Sequence, residues 1–482
     1  MVDFVNLVCY TVNVFFKRGV NMENKRGSFT GRIGFVLAAA GSAVGLGNLW
    51  RFPYLAAKHG GGLFLLVYLI LVLTFGFALM TTEIAIGRKT KLSPIKSYGV
   101  LSKNFGFLGY IASIVPFIIF PYYCVIGGWV TKYAADYFIG NGMNAVADGY
   151  FTSFITSQWS PILWCAIFMG VCAIVVYGGV EKGIEKFSKV LMPTLFVLII
   201  GIAVFALTIK GDYGTAIDGL KIYLVPNFEG MTIGKFFTVV VDAMGQIFYS
   251  MSLAMGIMIT YGSYMRREDN MVKAVNQIEF CDTFVAFLAG MIMIPVVYAF
   301  QGSEGLSASG PSLLFVSLPK VFAEMGWIGH IVGAAFFLLV VFAALTSAVS
   351  LLEAITSVVM DKFGWERKKS CSVVLVISVI VALVTCLGYN KWYFEAPLPN
   401  GTTGQILDIL DYVSNYVLMP IVALVTCVLV GWIVKPKTVI DEVKANGEKF
   451  SREGLYKVMV KFVAPLCLIL IFISAFGVFN NL

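Results

Sequence analysis

Eleven apolar runs, each near the ~20 residues that a helix needs to cross a bilayer, follow one another along this chain with short connections. They cover 32–57, 61–87, 106–138, 160–178, 188–209, 235–264, 273–300, 327–360, 371–388, 404–434 and 457–479. No hydrophilic stretch is long enough to bury a core of its own. With 59% hydrophobic and 13% charged residues, the chain reads as an all-α integral membrane protein. The nine cysteines fall mostly inside spans without metal-ligand or disulfide spacing, and are read as packing residues. Two histidines argue against a histidine-based metal or proton-relay site.

Lysine and arginine placement sets the expected orientation. With the N-terminus inside, cytoplasmic segments and the adjoining helix ends hold 27 of the 35 basic residues, against eight outside. This positive-inside pattern predicts a multi-pass protein of the plasma (inner) membrane, with a cytoplasmic N-terminus and an external C-terminus. The net charge of +8 therefore speaks for orientation and gives no case for nucleic acid. Residues 1–21 hold a short apolar stretch followed by Lys17-Arg18, without a cleavage site and too short to span. Either Met22 is an alternative start, or the segment lies on the membrane surface.

Two spans are interrupted. Span 1 carries Gly41, Gly45 and Gly47, then Asn48, Arg51 and Pro53. Span 6 carries small and polar residues through 245–256, from Gly245-Gln246 to Met255-Gly256. Non-helical backbone at membrane depth is tolerated only where protein or a water-filled cavity covers it. Breaks at corresponding places five spans apart point to an inverted-repeat transporter with a site at mid-membrane; glycines that merely allow close helix packing are the bland alternative. The predicted fold is a 5+5 inverted repeat of eleven transmembrane helices, with helices 1 and 6 unwound at mid-membrane. Its predicted parts are a cytoplasmic segment 1–31, repeat one over 32–209, an external loop 210–234, repeat two over 235–434, a linker 435–456, and span 11 with an external tail over 457–482. The linker is read as a solvated, charged surface helix.

The residues Gly41-Ser-Ala-Val-Gly-Leu-Gly-Asn-Leu-Trp-Arg-Phe-Pro53, Gly60-Gly-Gly62, Tyr122-Tyr123, Gly245-Gln246-Ile247-Phe248, Thr260-Tyr261 and Leu345-Thr346-Ser347 resemble the neurotransmitter:sodium symporter family, in particular its bacterial amino acid transporters. The resemblance runs from residue 26 to about 434. It implies two sodium ions, a hard cation that takes oxygen ligands. Sodium 1 would use the Ala43 carbonyl, Asn48, Ser250 and Asp282, with the substrate carboxylate; sodium 2 would use the carbonyls of Gly41, Val44 and Ala343 with the hydroxyls of Thr346 and Ser347. Hydroxyls bonding back to their own helix are the alternative reading of Thr346-Ser347.

Asp282 departs from the family pattern, which often has asparagine there. Chloride-dependent members carry a serine one turn later, where this chain has Ala286. A buried carboxylate is costly unless it meets a cation, so the expectation is transport without a chloride requirement, with Tyr68, Gln246 and Ser250 around that locus. A helix break exposes N–H groups suited to a carboxylate, here near Leu46-Gly47 with the Tyr123 hydroxyl. The resemblance places Ser42, Ala43, Ile119, Tyr123, Tyr249, Ser250, Ser252, Met255, Ser347 and Leu351 around the rest of the substrate. That wall is mainly apolar, so a charged side chain would be buried unpaired. The expected cargo is a hydrophobic or aromatic L-amino acid, tyrosine foremost. Ser42 stands where monoamine transporters carry an aspartate, which argues against monoamines.

The resemblance also implies an outer gate of Arg51 and Asp411 with Tyr123 and Tyr249, and an inner gate of Arg26, Asp361 and Tyr264. Glu83 is expected to brace the unwound backbone, and Glu353 is given no role. A branched aliphatic substrate and a sodium-independent facilitator are the alternatives. No enzyme-like cluster of nucleophile, metal or acid–base groups is found, and a homodimer is left open.

Overall fold

The computed structural model describes residues 27–306 and 311–478. Arg26 of the expected inner gate, and the segment before it, lie outside the described residues. Among those residues nine helices are long and apolar enough to cross a bilayer: Gly62–Thr90, Lys103–Phe138, Ser160–Tyr177, Val180–Ala206, Met271–Gly305, Trp327–Phe363, Arg367–Leu387, Ile406–Ile433 and Glu453–Ser474. The pair Arg32–Ala43 and Gly47–Lys58 forms a further span bent by 53° at its break. The remaining expected span, the sixth, is two helices, Ile233–Ser250 and Ile257–Tyr264, with non-helical residues 251–256 between them. Outward-facing residues such as Ile174 and Val197, 74% and 72% exposed, need lipid to cover them. The chain is a multi-pass membrane protein with an inverted-repeat transporter architecture.

The two breaks have different local causes. In span 1, none of Gly41, Gly45 and Gly47 takes a positive φ. These glycines serve close approach. A Cβ on Gly45 would sit 2.7 Å from Ser347 Oγ, and one on Gly47 would sit 2.6 Å from the Tyr249 ring. The chain leaves the helix at Val44, whose ψ is 103°. In span 6 the backbone turns left-handed at Ser252 (φ 52°), Ala254 (φ 59°) and Gly256 (φ 72°). Left-handed conformation costs a residue with a Cβ roughly 1–2 kcal/mol, and two partners hold it there. Glu83 Oε1 accepts a hydrogen bond from Ala254 N at 2.6 Å, and Ser252 Oγ donates to the Ser42 carbonyl at 2.9 Å. The sequence signal in span 1 was glycine; in span 6 the strain sits mainly on residues whose type gives no such warning.

The linker differs from expectation. Its helix Lys437–Val443 buries Val439, Ile440, Glu442 and Val443, and Phe450 and Tyr456 are buried beyond it. An amphipathic face that finds a neighbour is buried whatever the segment's overall charge, and here the neighbour is the end of span 2.

Candidate functional site

The two breaks meet around one narrow cavity. Every residue expected around a substrate lines it: Ser42, Ala43, Leu46, Gly47, Ile119, Tyr123, Tyr249, Ser250, Ser252, Met255, Ser347 and Leu351. Gly45 and Ile257 join them. Gly45 was within reach of sequence reasoning, since it belongs to the glycine-broken stretch. Ile257 had no signal beyond following that of span 6. The cavity measures about 30 Å³, between larger ones of about 800 Å³ towards Gly27 and Asp361 and about 760 Å³ towards His59 and Asn227. A narrow chamber thus lies between two wide vestibules.

Two oxygen clusters flank this chamber. In the first, Asp282 is fully buried and takes donors from three helices. Asn48 Nδ2 donates to Oδ1 at 2.8 Å and to the Asp282 carbonyl at 3.2 Å. Ser250 Oγ and Tyr68 OH donate to Oδ2 at 3.1 and 3.2 Å. Asn48 Oδ1, expected to face a cation, accepts from Gly45 N at 3.0 Å. A carboxylate takes donors, so the amide presents its nitrogen to Asp282 and its oxygen to the broken backbone. Nearby, Gln246 Nε2 donates to the Gly47 carbonyl at 3.0 Å, while its buried Oε1 has no hydrogen-bond partner among the described residues.

The second cluster carries no formal charge. Ser347 Oγ lies 3.5, 3.0 and 3.3 Å from the carbonyls of Gly41, Ser42 and Val44. Thr346 Oγ1 lies 3.1 Å from the carbonyls of both Phe342 and Ala343. Small residues let the two helices come this close: a Cβ on Gly41 would stand 3.2 Å from Thr346 Cβ. Hydroxyls and carbonyls are hard oxygen donors suited to a hard cation. The same Thr346 contacts also satisfy the helix back-bonding alternative.

At the break in span 1, the Leu46 N–H points to the Tyr123 hydroxyl at 3.5 Å. At the external end as read from the sequence, Arg51 lies 5.9 Å from the ring centres of both Tyr249 and Tyr416, in cation–π reach. Asp411 is held separately, accepting from Tyr122 OH at 3.0 Å and Asn415 Nδ2 at 2.6 Å. Among the described residues no ion pair joins Arg51 to Asp411. At the opposite end, Asp361 Oδ2 accepts from Ser93 N at 2.7 Å. Tyr264 donates to Glu353 Oε1 at 2.6 Å. Arg367 ion-pairs with the other oxygen of Glu353, which gives that residue the partner that sequence reasoning could not supply.

Comparison with known proteins agrees with this arrangement. The family described as SNF, the Sodium:neurotransmitter symporter family, matches residues 26–145 and 152–482. YhdH of Bacillus subtilis, called an uncharacterized sodium-dependent transporter, is 32% identical over 467 residues, covering 95% of this chain and 99% of the relative. The human sodium- and chloride-dependent GABA transporter 2 is 24% identical over 472 residues, covering 87% of this chain and 75% of that protein. Among solved structures, MhsT in complex with L-phenylalanine is similar at a TM-score of 0.82 and 34% identity, covering 93% of this chain and 100% of the other. This chain, with its two broken helices around one narrow chamber, belongs to the sodium:neurotransmitter symporter family.

Proposed function

We propose that this protein is a sodium-coupled symporter that carries a hydrophobic or aromatic L-amino acid into the cell, with tyrosine the favoured cargo, and needs no chloride. The observation that carries this reading is the apolar chamber flanked by two oxygen clusters, one of them built on the buried carboxylate of Asp282. The solved relative MhsT, whose structure holds L-phenylalanine, supports a neutral amino acid with a ring.

The substrate carboxylate is received at Leu46 and Gly47, where the broken helix offers N–H groups, with the Tyr123 hydroxyl beside them. The side chain lies against Ile119, Met255 and Leu351; methionine is flexible enough to make room for a ring. Sodium 1 sits between the substrate carboxylate, the Ala43 carbonyl, Ser250 and Asp282. For Asn48 to ligate it, the amide turns its oxygen from Gly45 towards the ion. Sodium 2 ties the Gly41 and Val44 carbonyls to Ala343, Thr346 and Ser347, and so ties span 1 to span 8. Asp282 neutralises part of the two ions' charge, the work that an external chloride would otherwise do.

Alternating access then needs contacts that open. Arg51 between Tyr249 and Tyr416, above Tyr123, forms the outer lid, with Asp411 one side chain away. Asp361 and Tyr264 form the inner one. The N-terminus is cytoplasmic and the C-terminus external.

Purified protein in proteoliposomes with an imposed sodium gradient tests this reading. Tyrosine, phenylalanine and tryptophan should compete for uptake, and glutamate and lysine should not. Uptake that persists unchanged when choline replaces sodium would establish a facilitator. Preferential competition by leucine, isoleucine and valine would move the assignment to branched aliphatic substrates.

A further inference from the structure

The linker between spans 10 and 11 has no part in the cation or substrate chemistry, yet it holds the most deeply buried arginine among the described ion pairs. Arg88, at the end of span 2, is 0% exposed. Its Nε donates to Glu442 Oε1 at 2.9 Å and its Nη1 to the Asp269 carbonyl at 3.0 Å. Nη1 is also 3.7 Å from Glu448, and Nη2 meets the Glu442 carbonyl. Glu448 then accepts from Met271 N and Val272 N at 3.0 and 3.3 Å, where a carboxylate meets the positive end of span 7's dipole. Asn446 donates to the carbonyls of Glu268 and Asp269 at 3.3 and 3.2 Å. Farther along, Arg452 pairs with Glu279 at 3.1 Å and donates to the Leu73 carbonyl at 3.0 Å, lying over the Phe77 ring.

These bonds converge on three elements packed against one another. The inner half of span 6, Ile257–Tyr264, is pressed onto span 2 so closely that a Cβ on Gly87 would stand 2.0 Å from the Ile259 carbonyl, and one on Gly262 2.5 Å from the Ile84 carbonyl. The linker grips the end of that unit through Arg88, the turn after span 6 through Glu268 and Asp269, and the start of span 7 through Glu448. Ser263, on the inner half of span 6, lines the wide vestibule. A displacement of this half-helix relative to span 2 would have to strain the linker's bonds to both.

We propose that residues 437–452 form a latch that holds the inner halves of spans 2, 6 and 7 in the inward-closed arrangement, with Arg88, Glu442 and Glu448 as its positioning residues. This rests on the transport reading above. A buried ion pair is often no more stabilising than apolar groups of the same volume, and its use here suits a contact that must release and re-form.

The test uses the full chain in proteoliposomes, with Ser263→Cys as a reporter labelled from the linker side by a membrane-impermeant thiol reagent, against a control lacking that cysteine. Glu442→Gln and Glu448→Gln should each speed labelling in saturating sodium about tenfold. They should raise the sodium half-saturation of uptake more than they lower its maximal rate. The swap Arg88→Glu with Glu442→Arg should bring labelling back towards that of the unaltered protein. Folded variants, judged by size-exclusion profile, that label within twofold of the parent would overturn the latch. Lower yield with unchanged labelling of the folded fraction would assign these residues to stability alone, and would overturn it too. Failure of the unaltered protein to take up amino acid with sodium would sink the transport reading, while the labelling comparison still judges the latch.

Discussion

The two oxygen clusters beside the chamber draw on the same broken span 1 and are built on opposite principles. One centres on Asp282, a fully buried carboxylate served by Asn48, Ser250 and Tyr68 from three other helices. The other, around Thr346 and Ser347, is made of hydroxyls and main-chain carbonyls. A formal charge in a low-dielectric interior binds a cation strongly and cannot be left alone cheaply. Neutral dipoles bind more weakly and can be released. On the proposed transport reading, the charged cluster would serve substrate and sodium 1 together, and the neutral cluster would serve the tie between spans 1 and 8.

The largest effect should come from removing the charge. Asp282→Asn should cut sodium-driven uptake in chloride-free medium by about a hundredfold or more, on the scale of a lost buried charge partner, about 3–5 kcal/mol. Robust uptake by that variant would erase the difference between the clusters. A smaller effect is expected at the neutral one. Ser347→Ala should raise the sodium half-saturation about tenfold, the ~1.4 kcal/mol of one hydrogen-bonding group, while substrate binding at high sodium stays measurable. Tyr68→Phe removes one of the donors to Asp282 and leaves the charge. A shift of a few-fold in apparent sodium affinity is expected, within the ~1.5–3 kcal/mol ceiling for a bond to a charged group. The smallest is none at all: replacing chloride by gluconate should leave the uptake rate of the unaltered protein unchanged.

Much of this was legible in the chain because local signals carried it. Hydropathy marked the spans, and the clustered Gly41, Gly45 and Gly47 marked a place where backbone comes close to something. Why it comes close was less legible: those glycines make room for Ser347 and Tyr249, while the left-handed backbone falls on Ser252 and Ala254 of the other break. Pairings across long sequence distances left no local trace. Glu442 meets Arg88 across 354 positions, so a linker that reads as charged and solvated turns out to bury one face. Arg367 reaches Glu353 around the turn between two spans, and no periodicity links them. The way Asn48 faces Asp282 depends on which neighbours supply donors, which only the assembled site determines.

The central claim is that a fixed carboxylate in the sodium 1 cluster takes the place of chloride in sodium-coupled amino acid uptake. The most direct measurement is the initial rate of tyrosine or phenylalanine uptake into proteoliposomes under an inward sodium gradient, with chloride or gluconate as the only anion. The account predicts equal, strongly sodium-dependent rates in both media for the unaltered protein, and near-background rates in gluconate for Asp282→Asn. Sodium-dependent uptake by the unaltered protein that vanishes in gluconate would contradict it.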